Sequence, residues 1–332
     1  MKIALIGLGR AGSFHLRALY DNIDMFEITM VVDCNYTKAT EMGRTYRLPH
    51  SIRTDDIPSN TEAVIIATST KSHYDMCKKM IEKYHVFIEK PLAEQEEQIG
   101  ELYNLARVND HWLQIGFHKP YDTSIEKCFG LANPKQLVIT SRDHPIPPIG
   151  YLRTSGGIVR DCVSHDVHLA LILFGCCPRQ VFAVGSVCNE SIKQLNDYDN
   201  VVVTMVFPEG KTCTIFSDRL AEYGYDQRVE IYNDKECLIV SNNPSTEELV
   251  YCAYGVISSP ISNSFPDRYR CAYAAQLRDF AKNAQMDTAE RAAFILSNQR
   301  LQTELISVLK CIEASIQEKC ALEPIIEMED DE

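Results

Sequence analysis

Gly7-Leu8-Gly9-Arg10-Ala11-Gly12 stands directly after a short apolar run, residues 3–6, and opens a stretch of helical spacing over residues 11–20. A glycine turn between a strand and a helix restricts the chain to few folds. The next apolar run, residues 28–32, ends at Asp33, close to the roughly 20-residue spacing expected of a dinucleotide-binding βαβ unit. In such a unit Gly7 permits the tight turn and Gly12 lets helix and strand pack closely. Gly9, with the backbone of Arg10 and Ala11, admits a pyrophosphate to N–H groups at the helix start. Asp33 would accept hydrogen bonds from the adenosine ribose and repel a 2′-phosphate. Cys34-Asn35-Tyr36 brings no arginine to hold that phosphate, so the expected cofactor is NAD rather than NADP. The alternative is a set of glycines in an ordinary βα turn.

The alternation continues. Short apolar runs at 63–67, 86–88 and 113–115 carry β-branched residues, as strands buried on both faces do, and helical spacing recurs at 73–84 and 94–108. An α/β Rossmann domain with a parallel sheet is therefore expected over residues 1–118. Beyond Tyr121 the pattern changes to strand-like segments at 136–141, 180–187, 200–207, 211–218, 228–233 and 236–241, several joined by tight turns such as Pro208-Glu209-Gly210. Residues 119–322 thus read as an α+β domain with a large, mostly antiparallel open sheet. It also holds helices at 159–174, 269–284 and 289–319. The closing residues 323–332 form an acidic tail expected to be disordered.

With 332 residues the chain can bury two cores, and its net charge of −13 disfavours nucleic acid or an anionic membrane surface as partner. A small neutral substrate fits better. Thirteen scattered cysteines without a C-x-x-C pair read as reduced thiols of a cytoplasmic protein. No secretion signal and no apolar stretch of membrane-spanning length is visible.

Three further groups of residues carry chemistry. Thr68 and Ser69 end one strand and lead to His73, where small hydroxyls could line the nicotinamide side of the crevice or simply cap a helix. Glu89-Lys90-Pro91 ends another strand, and Glu89 and Lys90 are expected, with Thr68, Ser69 and His73, among the cofactor contacts. The proline keeps Lys90 out of a helix, so its ammonium could polarise a reacting oxygen, or merely be a solvated charge. Asp161 and His165 lie four apart in a helical segment, on one face. A neutral imidazole can take a hydroxyl proton while the carboxylate orients it, although His165 could equally be an ordinary helix histidine. His168 makes a metal set with Asp161 and His165 drawable, but the spacing favours none, and no metal is expected.

Taken in this order, the motifs resemble the Gfo/Idh/MocA oxidoreductase family, and within it the inositol 2-dehydrogenase branch, over nearly the whole chain. Gly156-Gly157-Ile158-Val159-Arg160-Asp161 through His165-Asp166 is similar to that branch's G-G-x-x-x-D-x-x-x-H-[DE] segment. The resemblance implies Lys90, Asp161 and His165 as the catalytic set. It places Tyr225, in Tyr223-Gly224-Tyr225-Asp226, near the substrate, and implies a homodimer or homotetramer that packs the C-terminal sheet face against a partner. The family's basic stretch here reads Gly116-Phe117-His118-Lys119-Pro120-Tyr121-Asp122, in which only Lys119 keeps a firm positive charge as a substrate contact. His168 stands where an acidic residue is common. The first departure weakens inositol as the particular substrate, and neither touches the hydride-transfer set.

The function expected from the sequence is NAD-dependent hydride transfer from a secondary alcohol of a ring polyol or sugar. Two alternatives are reduction of a keto-sugar or imine with NAD(P), and a dinucleotide-binding regulator without turnover. Retention of Lys90, Asp161 and His165 speaks against the regulator, which needs only the cradle.

Overall fold

The computed structural model describes residues 1–242, 244, 246 and 248–324. Its first sheet is wholly parallel. It is built from β1 (Lys2–Ile6), β2 (Glu27–Val32), β3 (His50–Ser51), β4 (Ala63–Ile66), β5 (His85–Ile88) and β6 (Leu113–Ile115), in the spatial order β3-β2-β1-β4-β5-β6. This is the doubly wound order whose direction reverses between β1 and β4, opening a crevice at the strands' carboxyl ends. Ile3, Leu5, Val64, Ile65, Val86 and Phe87 have no solvent exposure, as expected of strands covered on both faces. The covering helices are α1 (Arg10–Tyr20), α2 (Tyr36–Tyr46), α3 (His73–Ile81) and α4 (Glu96–Val108). The sequence reading omits α2 and β3. Only Ala39 and Gly43 of α2 are buried, so the helix has no apolar stripe to read; it starts instead at Asn35, whose side chain accepts the Lys38 N–H at 3.1 Å.

The second sheet runs β12-β11-β7-β10-β9-β8, from β7 (Gln136–Arg142), β8 (Gln180–Ser186), β9 (Asn200–Val206), β10 (Thr212–Asp218), β11 (Asp226–Tyr232) and β12 (Cys237–Val240). Of its ladders only β7–β10 is parallel. Its strands alternate as one-sided strands must. Val181, Val201, Val203, Met205, Cys213, Ile215 and Ile231 are fully buried on one face. On the other, Val184, Val202 and Phe216 pair across three strands, with Phe182 beside them, and Phe182, Val184 and Phe216 are all exposed. Short helices α5 (Ile149–Leu152) and α7 (Glu190–Lys193) join strands, and α6 (Ser164–Phe174) packs against β7. A separate hairpin, β13 (Leu249–Cys252) with β14 (Gly255–Ser258), is exposed along both strands. The chain closes with α8 (Phe265–Asn283) and α9 (Thr288–Glu318).

By packing, Met1–Tyr121 groups with Arg270–Thr303, and Asp122–Tyr269 groups with the described residues from Glu304. A contiguous division after residue 118 does not describe this grouping, because the divide also falls within α8 and α9. Asn22 shows why Arg270–Thr303 joins the first unit: its amide donates to the Ala274 carbonyl, and Arg278 donates to its oxygen. Of the acidic tail expected at 323–332, residues 325–332 lie outside the described residues. No described helix is long and apolar enough to cross a membrane.

Candidate active site

In the first unit, the three glycines of the turn do different work. Gly7 has φ +93°, and a Cβ there would lie 2.5 Å from the Ala67 carbonyl oxygen; one on Gly12 would lie 2.0 Å from that of Gly7. Both positions exclude a side chain for packing reasons. At Gly9 a Cβ would meet nothing within 4 Å. Gly9 is also the N-cap of α1, with no side-chain cap and no acidic residue in the first turn, where Arg10 and Ala11 begin the helix. The α1 N-terminus therefore keeps open donors and a positive dipole end, which suits a dinucleotide pyrophosphate. Asp33, just beyond β2, is fixed by two backbone donors: Leu8 N–H to Oδ2 and Asn35 N–H to Oδ1, each at 2.8 Å. Its carboxylate is thereby aimed beside the glycine turn.

Thr68 is half-buried and Ser69 exposed beyond β4. The Ser72 hydroxyl donates to Thr68 Oγ1 at 2.9 Å and lies near the Ser69 carbonyl at 2.8 Å, tying the turn to itself. His73 is buried. Its Nδ1 lies 2.6 Å from the Pro91 carbonyl and its Nε2 3.2 Å from that of Thr68, so the ring braces the β4 turn against the segment after β5. A neutral ring donates to one of these two carbonyls, which ties His73 to the backbone at the crevice wall.

Glu89 is buried beneath Lys90, and its Oε1 lies 2.6 Å from Nε2 of the fully buried His15 on α1. Burial pushes the Glu89 carboxyl pKa up, but the hydrogen bond and charge of His15 outweigh it and hold the group below its ordinary value. A Cβ on Gly116 would come within 3.3 Å of that carboxyl, so the glycine makes its room. Lys90 is half-buried and its peptide bond to Pro91 is cis. Lys119 sits in the turn Lys119–Tyr121, 7% exposed. His15 and Gly116 escape the sequence reading. His15 lies on the α1 face that buries Gly12, Leu16 and Leu19, and a polar residue on a buried face demands a partner.

In the second unit, residues 159–174 form two helical forms rather than one. Val159–Val163 is a π turn, in which the Ser164 N–H reaches the Val159 carbonyl five residues back, and α6 follows. Asp161 lies in the π turn and His165 in the first turn of α6, so the pair brackets the change of pitch, a feature frequent at functional sites. Asp161 is buried: Tyr151 donates its hydroxyl to Oδ1 and Arg219 its Nη1 to Oδ2, both at 2.7 Å. Neither Tyr151 nor Arg219 carries a motif that would reveal it in sequence. His165 is half-buried, and Asp166 is fully buried, accepting from Ser141 Oγ at 2.9 Å. Burial lowers the His168 pKa to about 3 and keeps that ring neutral. Tyr225, just before β11, is 7% exposed and packs edge-on to Tyr269. Burial, with the charges of Asp143 and Asp166 nearby, raises its phenol well above the ordinary value, so it remains a donor at working pH. Among the described residues, no three His, Cys, Asp or Glu side chains gather as a metal site.

A Rossmann unit with an open glycine-turn helix, joined to an open-sheet unit that carries a buried carboxylate one turn before a histidine, defines a dinucleotide-dependent oxidoreductase. Residues 1–117 match the Gfo/Idh/MocA oxidoreductase family's NAD-binding Rossmann fold, and residues 137–239 match the family's C-terminal domain. Myo-inositol 2-dehydrogenase of Thermotoga maritima is 33% identical over 300 residues, 86% of this chain and 88% of that protein. Inositol 2-dehydrogenase of Rhizobium meliloti is 29% identical over 84% of this chain and 87% of that protein. A crystal structure of a myo-inositol dehydrogenase from Corynebacterium glutamicum superposes with a TM-score of 0.85 at 26% identity, covering 97% of this chain and 98% of that one. The chain belongs to the Gfo/Idh/MocA oxidoreductase family.

Proposed function

We propose that this protein is an NAD-dependent dehydrogenase that oxidises a secondary hydroxyl of a ring polyol or sugar, inositol-like in shape. The observation that carries the proposal is Asp161, buried and held through both oxygens four residues before His165, in a chain similar along most of its length to inositol 2-dehydrogenases. The α1 N-terminus at Gly9-Arg10-Ala11 would hold the pyrophosphate, and Asp33 the adenosine ribose. When bound, the nicotinamide supplies the hydride acceptor.

His165 takes the hydroxyl proton on its imidazole, and Asp161 orients the ring and stabilises the imidazolium. Lys90, set on the Glu89–His15 pair, offers its ammonium to the oxygen as alkoxide character develops. Tyr225 donates a hydrogen bond to a substrate oxygen, and Lys119 supplies a second cationic contact. Thr68 and Ser69 line the nicotinamide side of the crevice. The exposed apolar strip at Phe182, Val184 and Phe216 supports a homodimer or homotetramer paired through this sheet face. Thirteen free thiols, six of them exposed, suit a reducing cytoplasm.

A panel of inositols, aldoses and keto-sugars assayed with NAD and NADP, followed by absorbance of the reduced nicotinamide, tests the proposal. Turnover of a polyol or sugar with NAD supports it. Tight NAD binding with no turnover across the panel turns the assignment to a dinucleotide-binding regulator.

A further inference from the structure

Arg219 is fully buried directly after β10, where an arginine is costly unless its charge is answered. Two carboxylates answer it. Its Nη1 donates to Asp161 Oδ2 at 2.7 Å, and its Nη2 lies 3.4 Å from Asp197 Oδ2. Asp197 in turn accepts the backbone N–H of Ile158 at 3.0 Å, just ahead of the π turn. A Cβ on Gly157, where φ is +80°, would fall 2.9 Å from Asp197 Oδ1, the oxygen that accepts from Ile158. Gly157, Asp197 and Arg219 thus form one construction around the turn that presents Asp161. Such a buried cation supplies charge as well as shape.

We propose that Arg219 is a positioning residue for the reaction: it locks the Asp161 carboxylate in one rotamer and neutralises part of its charge, so that Asp161 orients His165 without holding it protonated. The proposal rests on the proton-transfer roles given above to Asp161 and His165. A carboxylate with uncompensated charge beside an imidazole raises the imidazole pKa and would empty the neutral, proton-accepting form near neutrality. Arg219, just after β10, and Tyr151, on α5, oppose that effect. Other titratable groups of this neighbourhood are Cys162 on the π turn, which accepts from Arg219 Nη1 at 3.4 Å and donates to Asp143 beyond β7 at 3.3 Å, Asp166 and His168 on α6, and Tyr225 ahead of β11, which feels the charges of Asp143 and Asp166.

The test compares wild type, Arg219→Gln and Arg219→Lys in the full chain by two measurements. Histidine ring NMR, with the His165 signal assigned from His165→Ala, reads the imidazole pKa without requiring turnover. Steady-state oxidation as a function of pH reads the consequence. Arg219→Gln should raise the His165 pKa by about one unit, with the ascending limb of the rate profile moving equally to higher pH. It should lower kcat by about tenfold or more with little change in NAD affinity. Arg219→Lys, which keeps the charge but not the two-pronged geometry, should recover most of the pKa and only part of kcat. A His165 pKa within about 0.2 units of wild type in the folded glutamine variant overturns the proposal. If that variant does not fold, an unchanged kcat in Arg219→Lys overturns it instead. A shifted His165 pKa in a protein that turns over nothing keeps the Arg219–Asp161 coupling and rejects the dehydrogenase assignment, so the two failures are distinct.

Discussion

His15 Nε2 lies 2.6 Å from Glu89 Oε1, joining the helix that begins at the glycine turn to the strand end that carries Lys90. His15 is wholly buried, and Glu89 nearly so, which makes the pair an internal tie between the two halves of the expected cofactor crevice. His15→Ala strands a buried carboxylate and should cost about 3 kcal/mol in urea unfolding. The double variant His15→Leu/Glu89→Met should regain at least half of that stability, because an apolar pair needs no solvation to be replaced. A single variant as stable as wild type would remove the tie from the account.

Asp33 stands fixed by the Leu8 and Asn35 amides, so its charge cannot swing away from an incoming phosphate. We expect NAD to be favoured over NADP by at least about tenfold, since a carboxylate facing a phosphate costs on the order of 1 kcal/mol or more. Asp33→Ala should narrow the ratio. Tighter binding of NADP than NAD to the wild type, by calorimetry, contradicts the role.

His165→Ala should lower turnover by roughly 10² to 10⁴ with NAD affinity nearly unchanged, because the imidazole serves the substrate oxygen. Lys90→Met should reduce both turnover and NAD affinity. Unchanged turnover in His165→Ala on the best substrate found would sink the mechanism.

The buried histidines give stability a defined acid limb. Burial, aided by the charges of His111 and Arg291, lowers the His85 pKa to about 4, and burial lowers that of His168 to about 3. Below the ordinary value of 6.5 the unfolded chain takes up protons that the folded chain refuses, so stability falls as pH drops, until the folded values are reached. For His168 the slope approaches about 1.4 kcal/mol per pH unit; for the half-buried His85, water screening makes it less. Urea melts at pH 7, 6 and 5 should show this fall, and His168→Asn should flatten it. A pH-independent midpoint over that range would show that neither ring is held neutral.

Much of this architecture was legible because it is periodic. The five longer strands of the parallel sheet are short apolar runs carrying β-branched residues, and most strands of the second sheet alternate between buried and exposed positions. Helix α2 was not, since it buries only an alanine and a glycine, and the β13–β14 hairpin was not, since it buries almost nothing. The π turn leaves no trace in residue pattern, as the sequence reads helical on either side of it. Within the site, Lys90, Asp161 and His165 were marked by motif, whereas their supports His15, Gly116 and Arg219 act across long stretches of chain. Arg219 meets Asp161 from 58 residues away, a contact set by tertiary packing and by no local rule.

The glycine turn also separates two demands that a fingerprint treats as one. Gly7 and Gly12 answer to the fold, since a methyl on either runs into backbone, while Gly9 has φ −76° and open space for a Cβ, so folding alone does not demand a glycine there. A lineage of this protein could therefore shed its cofactor in one substitution at position 9 and still persist as a well-folded, catalytically silent scaffold.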